Sequence, residues 1–432
     1  MTTRRDFLKN SALFTAASMV GAAGAPNFSF GQTAGGKTYI KVFMRGGADG
    51  LHLFPAVGDP LYYTYRPGIA IPAPNQSESE SAIDIGQTYR AMNPNLAPLM
   101  EIWDAGRMMV SPATFFDGGG RSHFDNQRWI GNGARNNLID GYLNRYLQEL
   151  PGVNHPVRGA VLGKTGISGE LKGALAVPAV GSANGFSLQS NDFCEGQGCQ
   201  DNQLTEYMRE VASHPVVESA VEGSVRENQL IMLDTIDEIK AAGADYMPSA
   251  GGMDYSGSPL GKGLRLVAQL LKAGVPLEVA AIDWNIGWDT HSNQISTSAQ
   301  RFTDQEKGYH RKMREGSLDF VTFFRDMGAL MDDVVVLVCT EFGRTVEENG
   351  SSGTDHGNAG AWFAFGGPTR PGLAADVSSL EERERNYLPM RVDYRDIVAE
   401  IMIRHMGMSE NLVSTIFPNH TLTNQNLFSL NA

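Results

Sequence analysis

The residues best suited to chemistry follow one apolar segment of the chain. Val334–Thr340 is a run of β-branched and other apolar residues, which predicts a strand that is buried on both faces. Glu341 and Arg344 follow it directly, and a loop of Gly, Ser and Asn then leads to Asp355 and His356. Ligands of open α/β sheets bind beyond the carboxyl ends of the strands. We therefore predict a reactive site at this strand end, with a divalent metal ion as its natural ligand.

Three other predicted strands end in the same way. They are Thr38–Met44, Arg107–Ser111 and Leu277–Asp283. The loops that follow them carry, in chain order, Asp49, then Arg121, Ser122 and His123, then Asp289 and His291. Since the carboxyl ends of parallel strands share one edge of a sheet, these loops are expected to meet there.

The candidate metal ligands are the acids and histidines that recur at these strand ends. We predict the set Asp49, Asp289, His291, Glu341, Asp355 and His356. Taken alone, any one of these residues would more often be a turn residue, a helix cap or an ordinary polar residue of a loop. Their recurrence after several strands favours a metal site. Carboxylate oxygens together with imidazoles suit zinc, manganese, magnesium or calcium better than a soft metal.

Ser122 is the candidate nucleophile. It lies in a glycine-rich loop beside Arg121, and a serine next to a metal ion can attack phosphorus or sulfur while an arginine holds the transferring oxyanion. Arg344 is the second candidate catalytic arginine, because it follows Glu341 on the same strand end. The alternative is that Ser122 only caps a helix that begins near Phe124. The two roles are compatible, since a helix N-terminus also favours an anion.

The predicted strands alternate with helical segments. Apolar residues recur at three- and four-residue spacing in Gln203–Ala242, Lys262–Ala273 and Gly316–Met331. This alternation predicts an α/β domain over residues 37–432, with a mostly parallel sheet covered by helices on both faces. Residues 132–257 lack a clear strand rhythm and are rich in Gly, Asn and Ser, so we interpret them as an inserted cap over the site.

Residues 1–32 resemble a twin-arginine signal peptide. Arg4 and Arg5 precede the weakly apolar run Ser11–Ala25, which is too short to span a bilayer with ease. We therefore expect the twin-arginine export machinery as a partner and a periplasmic or secreted location. No later window has the length and apolarity of a transmembrane helix. A net charge of -13 excludes the electrostatic footprint of a nucleic-acid-binding protein.

The chain has 3 cysteines, too few for a scaffold built on disulfides. Cys194 and Cys199 are close enough in sequence to form a disulfide in an oxidising compartment. They could also form half of a zinc site, although no second Cys or His pair accompanies them. Cys339 lies within the predicted buried strand and is expected to be a core residue.

Five motifs together resemble those of a known bacterial family. They are Gly-Gly-Ala-Asp-Gly-Leu at 46–51, Arg-Ser-His-Phe-Asp at 121–125, Trp-Asp-Thr-His at 288–291, Thr-Glu-Phe-Gly-Arg-Thr at 340–345 and Gly-Thr-Asp-His-Gly at 353–357. The family consists of twin-arginine-exported proteins known only as a domain of unknown function, and it is grouped with the alkaline phosphatase and sulfatase superfamily. The resemblance covers nearly all of the mature chain and implies an alkaline-phosphatase-like fold.

The resemblance also implies roles for individual residues. Asp49 is similar to the first metal aspartate of the superfamily, Ser122 to its nucleophile, Asp289 with His291 to an Asp/His metal pair, Glu341 to the acid after the late strand, and His356 to the closing histidine. The chain departs from that pattern where Glu341-Phe342 replaces Asp-His and where Asp289-x-His291 replaces Asp-x-x-x-His. One metal site would thereby lose an imidazole, which favours one metal ion or a harder second ion.

Two functions of different classes follow from the sequence. The first is an exported metal-dependent hydrolase of phosphate or sulfate esters, in which Ser122 attacks and Arg121 holds the oxyanion. The second is a non-catalytic exported protein of the same fold that binds a partner protein or a surface polymer. Similar proteins often occur beside another exported protein, so the resemblance implies a co-exported partner.

The double variant Arg4→Lys/Arg5→Lys is expected to accumulate as uncleaved precursor in the cytoplasm, because the export receptor reads the arginine pair as an address. Cell fractionation followed by immunoblotting measures the distribution, with the wild-type chain as control. Normal delivery of the double variant to the periplasm would contradict the signal-peptide assignment.

Overall fold

Nine strands form one sheet in the computed structural model, which describes residues 36–75, 80–135, 139–150, 155, 157–182, 201–214, 220–243 and 246–429. The strands are β1 (Thr38–Met44), β2 (Met108–Phe115), β3 (Gly159–Leu162), β4 (Ala179–Val180), β5 (Val279–Asp283), β6 (Val334–Thr340), β7 (Gly360–Gly366), β8 (Gly372–Leu373) and β9 (Val392–Asp393). Their order is β4-β3-β5-β1-β6-β7-β2-β8, and β9 also pairs with β2. Within this described sheet, β7 is antiparallel to β6 and β2, and the other pairings are parallel. The prediction of a mostly parallel α/β sheet is confirmed.

α-Helices cover both faces of this sheet. Those in the described residues are α1 (Gly50–Leu53), α2 (Pro60–Tyr65), α3 (Met100–Asp104), α4 (His123–Asn132), α5 (Tyr142–Glu149), α6 (Asp201–Ala212), α7 (Ala220–Gly243), α8 (Pro259–Lys272), α9 (Gly308–Met327), α10 (Tyr394–Glu400) and α11 (Val413–Ile416). Residues of α8 and α9 belong to the core on one face, and residues of α4, α5 and α10 to the core on the other. None of the helices in the described ranges is both long and apolar enough to cross a membrane.

β6 is central to the core because both of its faces are buried. Val336 and Val338 pack into the apolar cluster on one face, while Val335 and Leu337 pack into the cluster on the other. Burying a Val or Leu side chain contributes about 1.5–3 kcal/mol relative to leaving it exposed. The strand has the bounds that its β-branched run predicts.

The strand register aligns the ends of β1, β5 and β6. Met44 pairs with Thr340, and Phe43 pairs with Asp283, in the two parallel ladders. The residues that follow these strands therefore leave the sheet at one edge. Because β7 runs antiparallel beside β6, the segment 341–359 both leaves and returns at that edge. The predicted meeting of these loops thus has its structural basis in the register.

Two glycines let the returning loop pack closely. A Cβ at Gly353 would meet the backbone of His291, and a Cβ at Gly357 would meet the backbone of Arg344. Either contact would force the loop outward, because backbone atoms cannot yield as a flexible side chain can. A β-bridge between Arg344 and His356 lies within this close contact. The loop therefore brings His356 beside the loop that carries His291.

The region predicted as a cap, residues 132–257, contributes in part to the sheet. β3 pairs with β5, and β4 extends the sheet beyond β3, which corrects the prediction for these residues. Both strands are too short to produce a visible strand rhythm in the sequence. α6 and α7 pack against each other, and α7 also contacts α8. The signal peptide at 1–32 and the pair Cys194 and Cys199 lie outside the described residues.

One predicted helix is divided in the structure, and one strand was not predicted. The helical segment predicted at 203–242 is two helices, α6 and α7, and the sequence between them contains Pro215, which cannot continue a helix. β7 is absent from the predicted strands because it is flanked by glycines and its aromatic and alanine residues show no clear period.

Asp319 in α9 is a buried carboxyl group that holds the start of α8. Its Oδ1 accepts a hydrogen bond from Ser256 N, and its Oδ2 accepts one from Ser256 Oγ, each at 2.7 Å. Ser258 caps α8 by accepting a hydrogen bond from Gly261 N at 3.0 Å. Burial raises the pKa of Asp319 to about 6, and the hydrogen bonds from Ser256 offset this only in part.

The variant Asp319→Asn is expected to gain stability relative to wild type as the pH rises from about 4 to about 6. In that range the folded wild type keeps a proton that the unfolded chain has lost, so its free energy of unfolding falls as the pH rises. Asparagine does not titrate. Denaturant unfolding of both proteins at several pH values measures the difference.

Asp254→Asn is the control for this comparison, because Asp254 is largely exposed and pairs with Arg265 at the surface. A difference between Asp319→Asn and wild type that stays constant over this pH range would contradict the prediction.

Candidate metal centre

Three histidine rings converge on the carboxylate of Asp289. The distances from its oxygens to the ring Nε2 atoms are 3.4 Å for His123, 3.1 Å for His291 and 3.2 Å for His356. The Nε2 atoms of His291 and His356 are 3.0 Å apart. Ligand atoms of His123, Asp289 and His356 all lie within 4.8 Å of one another. We call these four side chains the Asp289 cluster.

An oxygen acceptor binds the far nitrogen of each ring. The pairs are His123 Nδ1 with Glu341 Oε1 at 2.8 Å, His291 Nδ1 with Asp355 Oδ1 at 3.0 Å, and His356 Nδ1 with the backbone oxygen of Arg121 at 2.8 Å. Ionised carboxylate and carbonyl oxygens can only accept a hydrogen bond, so each Nδ1 carries a hydrogen. In the neutral ring the Nε2 lone pair then faces the other members of the cluster.

This arrangement calls for positive charge at the centre of the cluster. Two Nε2 lone pairs at 3.0 Å repel each other unless a proton or a metal ion lies between them. Proteins commonly orient metal-binding histidines by a hydrogen bond from the far ring nitrogen. His123 Nε2 is buried and, among the described residues, has no hydrogen-bond partner, which suits a ligand atom.

The carboxyl groups of the centre are held in their charged form. Burial raises the pKa of Asp289, but the hydrogen bond and charge of Arg344 outweigh this effect, and the pKa lies below its ordinary value. Burial likewise raises the pKa of Glu341, and hydrogen bonds from His123 and Gln127 outweigh it. Both groups are therefore anionic at neutral pH.

The rings differ in their protonation tendency. The hydrogen bond with Glu341 raises the pKa of His123 above its ordinary value, with burial acting against it. Burial lowers the pKa of His356. The neutral form of His356 is the form that can donate a lone pair to a metal ion.

Glu341, predicted as a metal ligand, holds the far side of His123. Its Oε1 accepts hydrogen bonds from His123 Nδ1 and Gln127 Nε2, both at 2.8 Å, and from Gly46 N at 2.9 Å. Its Oε2 accepts one from Thr340 Oγ1 at 3.1 Å. The Glu341 side chain is fully buried and contacts the Nδ1 side of the His123 ring. It therefore orients that ring and does not point toward Asp289.

Asp49, also predicted as a ligand, is not brought into the Asp289 cluster. Arg66 Nη1 and Nη2 donate to its two carboxylate oxygens at 2.7 and 3.0 Å. Gln294 Nε2 donates to the same group at 2.8 Å, and the backbone N–H of Leu51 does so at 3.1 Å. Both oxygens are thus engaged by protein donors in a buried ion pair.

Arg344, predicted as catalytic, is buried beneath the cluster. Its Nη2 donates to Asp289 Oδ1 at 2.5 Å and to the backbone oxygen of Trp288 at 3.1 Å. Its Nε donates to the backbone oxygen of Gly47 at 2.5 Å, and its Nη1 to that of Thr354 at 3.0 Å. The guanidinium therefore positions Asp289, and the side chain has no solvent-exposed surface to offer a substrate.

Ser122 and Arg121 lie at the exposed start of α4. Ser122 is the N-cap of the helix, as the alternative interpretation predicts, but its Oγ accepts only a long hydrogen bond of 3.4 Å from Asp125 N. The Arg121 guanidinium lies 4.6 Å from the centre of the Tyr387 ring, and the part of the chain that the structure describes offers it no carboxylate partner. Both side chains are available to a ligand.

His123 is the member of the cluster that is missing from the predicted ligands. It follows Ser122 in the motif at 121–125, where it looks like the first residue of a helix. Its role depends on Glu341, which is 218 residues away in sequence. The ring of Phe342 also packs against it and against His356, with centroid distances of 4.8 and 4.7 Å. The sequence feature that points to His123 as a site residue is its position in a loop that follows a predicted strand.

Similarity to solved structures is weak, and no curated protein matches the chain. A protein of the alkaline phosphatase superfamily from Vibrio parahaemolyticus is 9% identical with a TM-score of 0.35, over 91% of this chain and 74% of that chain. A lipoteichoic acid synthase from Listeria monocytogenes is 9% identical with a TM-score of 0.35, over 88% and 80%. The soluble domain of a lipooligosaccharide phosphoethanolamine transferase from Neisseria meningitidis is 13% identical with a TM-score of 0.30, over 78% and 79%.

A family model described as "Protein of unknown function (DUF1501)" matches residues 121–416. This range contains the whole Asp289 cluster, together with Glu341 and Asp355, whereas Asp49 and Arg66 precede it. Since the match covers more than half of the chain, the protein belongs to this family of proteins of unknown function (DUF1501).

Proposed function

We propose that this protein is an exported, metal-dependent hydrolase of phosphate or sulfate esters that reaches its compartment by the twin-arginine pathway. The observation that supports the proposal most is the convergence of three Nε2 atoms on Asp289, with each Nδ1 bound by an oxygen. Imidazole nitrogens oriented in this way, together with a carboxylate, form a common donor set for divalent ions.

The Asp289 cluster would hold one ion. Its three imidazoles and one carboxylate suit zinc or another first-row divalent metal better than calcium, which prefers an all-oxygen site. Asp49 is not free to bind a second ion, because its carboxylate oxygens are engaged by Arg66 and Gln294, and the described residues form no second cluster of ligands around it. The Arg66 guanidinium supplies at Asp49 the positive charge that a second ion would bring. We therefore propose a single-ion site.

The residues at the start of α4 would carry out the transfer. A bound divalent ion would supply positive charge for an anionic oxygen and would lower the pKa of a hydroxyl beside it. Ser122 Oγ would form a bond to phosphorus or sulfur as the bond to the leaving alcohol breaks, and the serine proton would pass to the leaving oxygen. Water would later hydrolyse the seryl ester and return a proton to Ser122. Arg121, which has no carboxylate partner in the described ranges, binds an anionic oxygen of the transferring group.

The purified mature protein is expected to contain one divalent ion per chain and to melt at a lower temperature after chelation. An ion that binds only the folded form adds about 2.7 kcal/mol of stability at 100 times its Kd. His356→Ala removes one converging ring and is expected to lower the metal content sharply. Elemental analysis and melting curves with and without chelator measure both effects.

Asp125→Asn is the control for the metal measurement, because Asp125 lies in α4 with His123 but pairs with Arg128 at 3.1 Å. This variant should retain the ion. Absence of bound metal together with an unchanged melting curve would contradict the proposal, and two ions per chain would contradict the single-ion site.

Ser122→Ala is expected to abolish ester hydrolysis while leaving the fold nearly unchanged. Its lost cap should cost at most about 1 kcal/mol, because the 3.4 Å hydrogen bond is long and exposed. Arg121→Ala should lower turnover without removing the nucleophile. Hydrolysis of aryl phosphate and sulfate esters, with added zinc, manganese, magnesium or calcium, measures these effects.

Ser258→Ala is the control for the loss of a cap, since Ser258 caps α8 and has no contact with the Asp289 cluster among the described hydrogen bonds. It should lower stability and leave turnover in place. Activity that survives Ser122→Ala would remove this residue from the mechanism. A wild type that binds metal but hydrolyses none of these esters would favour the binding-protein function.

A further inference from the structure

A continuous row of side-chain hydrogen bonds reaches His123 from a neighbouring strand end. Arg45 Nε donates to Asp283 Oδ2, and Arg45 Nη1 donates to Gln127 Oε1, each at 2.8 Å. Gln127 Nε2 donates to Glu341 Oε1 at 2.8 Å, and His123 Nδ1 donates to the same oxygen at 2.8 Å. The row joins the residues that follow β1 and β6 to the end of β5 and to α4.

The chemistry of its neighbours sets the orientation of the Gln127 amide. A guanidinium can only donate, so the amide oxygen must face Arg45. An ionised carboxylate can only accept, so the amide NH₂ must face Glu341. The reversed amide would bring two donors together at one end and two acceptors together at the other. The Gln127 amide therefore has a single orientation, with its oxygen toward the Arg45 cation and its NH₂ group toward the Glu341 anion.

The outer end of the row is firmly anchored. Asp283 Oδ2 accepts hydrogen bonds from both Arg45 at 2.8 Å and Lys164 at 2.6 Å. Burial acts against the Arg45 charge, but Asp283 outweighs it and raises the pKa of the guanidinium. Arg45 thus stays charged and holds the amide oxygen of Gln127.

We propose that Gln127 is a positioning residue of the metal site, which fixes the Glu341 carboxylate and thereby aims His123 Nε2 at the ion. The inference rests on the proposed function, because it assumes that His123 binds metal. The terminal torsion of a glutamate is soft, so donors must fix the carboxylate plane. Without Gln127, Glu341 keeps His123 and the backbone N–H of Gly46 at Oε1 and Thr340 Oγ1 at Oε2. The carboxylate plane then has one donor fewer to fix it, and the direction of the His123 ring would change with it.

Gln127→Met tests this role in the full mature chain, since methionine keeps the length and helix propensity of glutamine but makes neither hydrogen bond. Metal-stripped protein is titrated with zinc in competition with a chromophoric chelator. The zinc affinity is expected to fall about 10–100-fold, as for other outer partners of metal-binding histidines. The visible spectrum of the cobalt-loaded variant should differ from that of wild type, because the direction of one ligand changes.

Two further variants separate positioning from a general loss of structure. Arg128→Met changes the next residue of α4, whose guanidinium pairs with Asp125 and lies near the Trp129 ring, and should retain wild-type affinity and spectrum. Glu341→Gln should weaken zinc binding, and adding Gln127→Met to it should cause little further loss if Gln127 acts through Glu341. Gln127→Ala provides the same comparison if the methionine variant folds poorly.

The outcomes distinguish this inference from the proposed function. Zinc bound by Gln127→Met as tightly as by wild type, or losses that add fully in the double variant, would overturn the positioning role and leave the metal site intact. A wild type that binds neither zinc nor cobalt would overturn the metal site and, with it, the role of Gln127. A selective, non-additive loss supports the positioning role.

Discussion

One buried arginine connects the loops of the candidate site. Arg344 donates hydrogen bonds to Asp289 and to backbone oxygens of Gly46, Gly47, Trp288 and Thr354. These acceptors belong to the segments that follow β1, β5 and β6, which are far apart in the chain. A buried guanidinium left without acceptors would be strongly destabilising, so the three segments can adopt this arrangement only together. The position of Asp289, on which the three histidine rings converge, therefore depends on the Arg344 side chain.

Carboxylates that look alike in the sequence have different roles in the structure, because each buried charge needs a partner. Asp49 is 1% exposed and is neutralised by Arg66, while Glu341 is fully buried and holds His123 and Gln127. Asp289 is 46% exposed, and Arg344 engages only its Oδ1. Its Oδ2 therefore remains directed at His123 Nε2. An ion would find a free carboxylate oxygen here, and the buried acids contribute by fixing their neighbours.

The parts of the fold that were predictable are those that local pattern controls. β1 and β6 have their predicted bounds, because runs rich in β-branched and aromatic residues are stable as buried strands. β3 and β4 were not predictable, since strands of four and two residues carry too few side chains to show a period. His123 could be found as a histidine after a strand but not as a cluster member, because its partner Glu341 comes from another strand end.

The sequence by itself determined which loops meet at one edge of the sheet and that acids, histidines and a serine lie in them. It did so because strand period is a local property of the chain, and helices between consecutive strands indicate that those strands run parallel. Only the tertiary structure decided which acid pairs with which cation. Gln294 reaches Asp49 across 245 residues, and Arg344 reaches Asp289 across 55. Whether such a pair forms depends on differences of a few ångströms, because charge pairing in a buried site depends on distance and geometry. Spacing along the chain does not encode these distances.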